Sequence, residues 1–276
     1  MSSGSIRLAR TSGLVAALVV ALVSPALGQT QTRAQAPARP RPRQVSGPRF
    51  FVDVSVGASV LSKALTQNLA GPINQENATF GTRYGARNGA LFDVGGGMRF
   101  SRQLAVDVAY TSASAKAGAD VTGRIPHPLF FNQPRDIQGS ISGVRHAESA
   151  VHVDLIWTLP VAAGLEIRAF GGPTFMTIRQ DLIASVTYSE TYPYDSAAFT
   201  GASTARRSRS TVGFNAGIDV ARFFTRAFGV GGILRATAAS VDLDSPLTFG
   251  GNQPSDRQVR VKASRLEAAA GIRLRF

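Results

Sequence analysis

From Phe50 onward the chain alternates apolar residues with polar or small ones, and helical spacing is hard to find. A period of two is that of a strand whose two faces meet different surroundings. Eight segments show it. The first, 49–60, sets Val52, Val54, Val56, Ala58 and Val60 against Asp53, Ser55, Gly57 and Ser59. The second, 89–100, sets Phe92, Val94, Met98 and Phe100 against Asp93, Gly95, Gly97 and Arg99. The third, 103–114, has Leu104, Val106, Val108 and Tyr110 opposite Asp107, Ala109 and Thr111. The fourth, 146–159, has Val151, Val153, Leu155, Trp157 and Leu159 opposite Glu148, Ala150, His152 and Asp154. The fifth, 165–178, opens with Leu165, Ile167 and Ala169 against Glu166 and Arg168. The sixth, 210–223, pairs Val212, Phe214, Ala216, Ile218 and Val220 with Gly213, Asn215, Gly217 and Asp219. The seventh, 227–240, has Phe228, Val230 and Leu234 opposite Gly231 and Arg235. The eighth, 262–276, runs Leu266, Ala268, Ala270, Ile272, Leu274 and Phe276 against Arg265, Glu267, Gly271, Arg273 and Arg275.

The connections alternate in length. Short ones fall near 101–103, 160–164 and 224–226, and long ones near 61–88, 115–145, 179–209 and 241–261. That rhythm predicts an all-β fold, an eight-stranded antiparallel up-and-down transmembrane β-barrel with tight turns on one side and loops on the other.

Alternation alone does not say which face points inward. A soluble barrel buries its apolar face; a membrane barrel inverts the pattern. Three features favour inversion. The polar face carries both charge signs in mid-strand: Asp53, Asp93, Arg99, Asp107, Glu148, Asp154, Glu166, Arg168, Asp219, Arg235, Arg265, Glu267 and Arg273. With His152, these are the candidate lumen network. Among 30 basic residues only Lys63, Lys116 and Lys262 are lysine, and arginine suits fork-like pairing with carboxylates. A GC-rich genome also enriches arginine. Second, Phe50, Phe51, Phe100, Trp157, Phe223, Phe224, Phe228 and Phe276 gather near strand ends, as interfacial girdles do. Third, the chain ends on a strand closed by Phe276.

That terminus, Ala269-Ala270-Gly271-Ile272-Arg273-Leu274-Arg275-Phe276, resembles the assembly signal of outer-membrane barrels through Gly271, Leu274 and Phe276. Ala269 stands where that signal usually has a polar residue. The body, 49–276, resembles the eight-stranded outer-membrane β-barrel family of the OmpA/OmpX type, the porin-like outer-membrane β-barrel domain. The resemblance implies recognition by the barrel-assembly machinery, periplasmic termini and a lumen without a wide pore. Its members have diverse roles, so the fold selects none of them.

Residues 1–28 read as a signal peptide: Arg7 and Arg10, the apolar run Leu14 to Val23, then Ala26-Leu27-Gly28 before a cut at Gln29. Ten apolar residues fall short of the roughly 20 that span a bilayer as a helix. Residues 29–48 hold Arg33, Arg39, Arg41 and Arg43, four prolines and no acid. They read as a disordered periplasmic tether. The formal net charge is +13, and +11 once Arg7 and Arg10 are removed. With no cysteine, disulfides and thiolate chemistry are excluded.

No motif names a reaction. His152 beside Asp154 is a metal site or general base in principle, and a structural partner in a salt-bridged lumen more simply. His127 lies in a proline-rich loop. His146, Glu148 and Ser149 are the residue types of lipid-modifying barrel enzymes, but adjacent strand residues face opposite ways, so Ser149 leaves the face His146 and Glu148 share. Gly95-Gly96-Gly97 and Gly171-Gly172 lie inside strands, not before helices, which rules out phosphate loops. Neither a cofactor, a metal, a nucleic acid nor an enzymatic activity is expected. The expected partners are outer-membrane lipid and lipopolysaccharide, with Arg206-Arg207-Ser208-Arg209 placed near the outer leaflet. The reading is a structural or interaction barrel plugged by Asp/Glu–Arg pairs; a narrow small-solute channel and a lipid-modifying enzyme are the alternatives.

Overall fold

A computed structural model describes residues 48–61, 65–85, 87–248 and 258–276. The signal peptide at 1–28 and the tether at 29–48, Pro48 excepted, lie outside the described residues. Twelve strands follow in chain order: β1 (Phe50–Leu61), β2 (Leu65–Ile73), β3 (Glu76–Tyr84), β4 (Arg87–Arg99), β5 (Leu104–Ile125), β6 (Arg135–Ala162), β7 (Leu165–Glu190), β8 (Ala197–Phe223), β9 (Phe228–Ala238), β10 (Ser240–Asp244), β11 (Gln258–Lys262) and β12 (Arg265–Arg275).

Eight of them close a ring. Neighbours run β5-β4-β1-β12-β9-β8-β7-β6, and β6 returns to pair with β5. Every pairing is antiparallel. These are the eight segments marked by alternation. A closed ring leaves no unpaired edge, the condition a sheet must meet in lipid. The seam between β1 and β12 stays paired to the last residue: the Phe50 and Phe276 amides each donate to the other's carbonyl, at 3.0 and 2.9 Å.

The turns at one end repeat one device. Ser101 Oγ accepts from the Gln103 and Leu104 amides, and Thr225 Oγ1 accepts from the Ala227 and Phe228 amides. The third turn uses Gly164 at a φ of 73°, in the left-handed region that favours glycine. We call this the turn end.

At the far end the fold differs from the expected loops. The stretches 115–145 and 179–209 are mostly strand, since β5, β6, β7 and β8 run 22, 28, 26 and 27 residues. About 10 residues of a tilted strand suffice to cross a bilayer, so these four project well beyond one. Above the point where β4 leaves β5, β3 takes its place, pairing from Thr79↔Arg124 to Tyr84↔Ala119. Similarly β10 lies against β8, where Thr211 Oγ1 donates to the Ser240 carbonyl.

The projecting part has a core of ordinary polarity. Leu65, Leu69, Phe80, Tyr84, Val121, Ile125, Ile137, Leu182, Ile183, Val241, Leu243 and Val261 are buried together. The alternation in these strands has a different chemistry from that in the ring. In β5 the inward odd positions are Asp107, Ala109 and Thr111 below, but Ala119, Val121 and Ile125 above. The geometry continues while the chemistry of the two faces trades places. Within this head, Tyr84 donates to Gln67 Oε1 at 2.7 Å and its hydroxyl accepts the Ile183 amide at 2.9 Å. Tyr84→Phe leaves that buried amide unsatisfied, at about 1–3 kcal/mol. Limited proteolysis should cut the head faster while the ring stays resistant.

Candidate functional site

The polar faces of the ring point inward and meet as stacked ionic layers. Nearest the turn end, Glu166 receives Arg99 at 2.6 Å and Arg275 at 2.7 Å. Above it, Arg168 reaches across the lumen to Asp53 at 2.9 Å and to Asp219 at 3.5 Å, while Arg273 meets Asp219 at 2.7 Å and Asp53 at 3.6 Å. In the third layer Arg235 takes Asp93 at 2.7 Å and Glu267 at 3.5 Å. Arg265 takes Glu267 at 2.7 Å and Glu148 at 3.1 Å, and Glu148 also meets His146 at 2.7 Å. Desolvating these charges is costly, and only pairing plus further hydrogen bonds offsets it. The planar guanidinium also stacks on rings: Arg168 lies over Phe51, Arg235 over Phe170 and Arg275 over Phe223.

Three of the fourteen candidate lumen residues stand outside the ion pairs. His152 sits between Thr111 at 3.1 Å and Thr174 at 2.8 Å. Asp154 accepts from Asn215 at 2.8 Å. Asp107 lies opposite Asp154 in register. Asp107 Oδ1 and Asp154 Oδ2 are buried without a hydrogen-bond partner and border a cavity of about 20 Å³ closed in by Asp53, Asp93, Arg168, Asp219, Arg235 and Arg273. That volume suits about one water molecule. Between the second and third ionic layers the lumen is therefore nearly filled by side chains.

Outside, the ring is apolar. Val54, Phe92, Val106, Val108, Tyr110, Val153, Leu155, Trp157, Phe175, Phe214, Ile218, Val230, Leu234 and Ile272 are all exposed, while Arg235, Arg265, Glu267 and Arg273 are at most 4 % exposed. Charges inside and aliphatic side chains outside invert the order water imposes, and match a lipid surround.

The chain is an eight-stranded antiparallel transmembrane-type β-barrel.

Phe50, Phe100, Trp157, Phe224 and Phe276 form an exposed aromatic girdle at the turn end of this barrel. Phe51 and Phe223, expected in that girdle, instead lie inside at 2 % and 5 % exposure. Their parity places them on the charged face, where they carry the guanidinium groups of Arg168 and Arg275.

No family model matches the sequence, and no curated protein matches it. Solved structures do resemble the barrel. Neisserial surface protein A is 11% identical, covering 82% of this chain and 97% of its own, at a TM-score of 0.43. The outer membrane protein OprG from Pseudomonas aeruginosa is 8% identical over 83% and 97%, at 0.46. Outer membrane protein AlkL is 12% identical over 89% and 97%, at 0.43.

Gly271, Leu274 and Phe276, the candidate assembly signal, sit on the closing strand. A Cβ on Gly271 would lie 1.9 Å from the Val54 carbonyl oxygen and 2.6 Å from Ser55 Cα. The backbone of β1 thus forbids a side chain there. Leu274 and Phe276 are exposed on the lipid face. His146 and Glu148 are buried inside the barrel, and Ser149, paired with Ser112 and Thr177, falls on the outward register. His127 is buried in the loop joining β5 to β6, its Nδ1 accepting the Leu129 and Phe130 amides, both at 3.1 Å. Among the described residues no cluster of three metal-ligating side chains is placed to hold an ion. Two ion-paired members of the network fall outside the fourteen candidates, His146 and Arg275. Both share the parity of residues that are candidates: Glu148 and His152 on one strand, Arg273 and Glu267 on the other.

Proposed function

We propose that the protein is a closed structural barrel of the bacterial outer membrane, with periplasmic termini, which holds a stiff head outside the cell for interaction with its surroundings. The observation that carries this reading is the filled lumen. Three ionic layers cross it, the second and third enclose a cavity of about 20 Å³, and a buried apolar core stands above. A cavity of about 20 Å³ holds about one water molecule and is too small for a hydrated ion. The head offers a contact surface at its tip, where Leu129, Phe130 and Phe131 are 58%, 53% and 66% exposed and Tyr192 is 75% exposed. Exposed apolar groups concentrated at one place are a usual mark of an interaction site.

Planar-bilayer recording of the refolded mature chain tests the reading. The expected result is a flat baseline across the voltage range at which a wide porin inserted as control gives unit steps. Reproducible unit conductance would establish the narrow-channel alternative instead. The lipid-modifying alternative is poorly supported, since His146 and Glu148 are buried in the lumen with Ser149 on the opposite face. Mass spectra of lipid A from expressing cells are expected to be unchanged.

A further inference from the structure

The outer face of β5, β6, β7 and β8 is ordered in rows, because cross-strand register places residues side by side. The uppermost apolar row is Tyr110, Val151, Phe175 and Val212. The next is a row of hydroxyls: Ser112, Ser149, Thr177 and Ser210. Above it come Ser114, Ala147, Arg179 and Ser208. The row after that starts with Lys116 opposite Arg145 and ends with Asp181 opposite Arg206. Arg145 and Asp181 are also tied directly, the Arg145 amide donating to Asp181 Oδ2 at 3.2 Å.

Four cations thus project from adjacent strands within two rows above the hydroxyls. They line one shallow depression of about 380 Å³. The acid in that row, Asp181, is engaged by Arg206 Nε at 3.0 Å. Lys116, Arg145 and Arg179 are exposed and have no ion-pair partner among the described residues. Of the tetrad expected near the outer leaflet, Arg206 belongs to this patch, whereas Arg209 donates to the Asp242 carbonyl.

From this we infer that the depression is a binding site for the phosphate groups of an outer-leaflet glycolipid, the phosphorylated lipid A of lipopolysaccharide. The rows supply the argument. An amphiphile whose acyl chains lie along Tyr110, Val151 and Phe175 presents its sugars at the hydroxyl row and its phosphates at the height of Arg179. Arg145 and Lys116 stand one row farther out. Arginine gives forked hydrogen bonds to phosphate and lysine a compact charge, and basic pockets at the membrane surface suit anionic headgroups. The inference rests on the proposed orientation, with the far end outside the cell.

The test uses the full mature chain, refolded and purified, and bisphosphorylated lipid A in neutral vesicles as probe. The variant is the triple substitution Lys116→Gln, Arg145→Gln and Arg179→Gln, three exposed side chains whose loss breaks no ion pair. The control is Arg102→Gln with Arg226→Gln, exposed cations at the turn end. At least a tenfold loss of lipid A binding in the triple variant, with wild-type binding in the control, is the expected result. Raising salt from about 0.05 to about 0.5 M should weaken wild-type binding strongly, since exposed charges are screened over that range. Equal binding by wild type and triple variant overturns the inference. So does equal affinity for phosphatidylglycerol vesicles, which indicates a general anionic surface, and so does full competition by inorganic phosphate. Should the triple variant fail to show a boiling-dependent gel shift, salt-insensitive wild-type binding overturns the inference alone. Protease shaving of intact cells reads the orientation, and bilayer recording reads the plugged lumen. Failure of either is distinct from failure of the lipid site.

Discussion

Gly271→Ala is expected to prevent the barrel from closing, both in cells and in purified lipid. A methyl at that position would overlap the Val54 carbonyl and the Ser55 Cα across the β1–β12 seam. These are backbone atoms of a fully paired strand, with Val54↔Ile272 and Ser55↔Gly271 in register. Neither partner can retreat without giving up the ladder, so the cost is lost closure rather than local strain. Gel mobility with and without boiling is the readout, and the expected result is loss of the boiling-dependent shift. The same experiment separates two roles for the residue. If Gly271 mattered only as part of an assembly signal, the variant would fail in cells yet refold normally from urea into vesicles. The seam contact predicts failure in both settings. Phe276→Ala is the contrasting case. Its ring is exposed and its backbone closes the seam, so refolding in vitro should be nearly normal while assembly in cells reports on the signal alone.

The second large effect is expected at Arg235. Its guanidinium is the ion-pair partner of Asp93 at 2.7 Å, reaches Glu267 at 3.5 Å and covers Phe170. Arg235→Met fills similar space but leaves Asp93, 3 % exposed, without a cation. Breaking a buried pair from one side costs about 3–5 kcal/mol, much more than removing both members. Urea unfolding from vesicles, followed by the fluorescence of the single tryptophan, Trp157, should show a loss of that size. Adding Asp93→Asn should then recover more than about 1 kcal/mol, because the stranded charge is gone. If the double variant is no more stable than Arg235→Met, Asp93 is not held by that arginine.

The ring was legible in the sequence because lipid and lumen impose opposite demands on successive residues. Asp53 beside Val54, Arg273 beside Ile272 and Asp93 beside Phe92 leave only one plausible environment for each face. Lumen partners were legible as a set but not as pairs. Alternation says that Arg168 points inward; only the stagger of the ring brings it to Asp53, 115 positions earlier in the chain. Asp107 and Asp154 share the inward parity and still lack a cation, which parity cannot foresee. The head is not legible in the sequence, for a different reason. The stretches 115–145 and 179–209 keep the period of two but lose the fixed association of apolar with one parity, and so they look like loops. His127 shows the same limit on a smaller scale. Its role in organising two loop amides depends on a bend that no residue type announces.

The trading of faces along β5 to β8 also sets how deeply the protein sits. In those four strands the outward residues change from apolar to hydroxylic at one common cross-strand row, Ser112, Ser149, Thr177 and Ser210. Nothing in the backbone marks that row; side-chain chemistry alone does. The barrel's immersion depth is therefore adjustable without altering its architecture. Converting that single row to valines would lengthen the hydrocarbon-matching band by two residues per strand, roughly 5 Å after allowing for tilt, at 3.3 Å per residue. The same head would then ride lower in an unchanged membrane or suit a thicker one, since thickness matching is a matter of small costs per ångström.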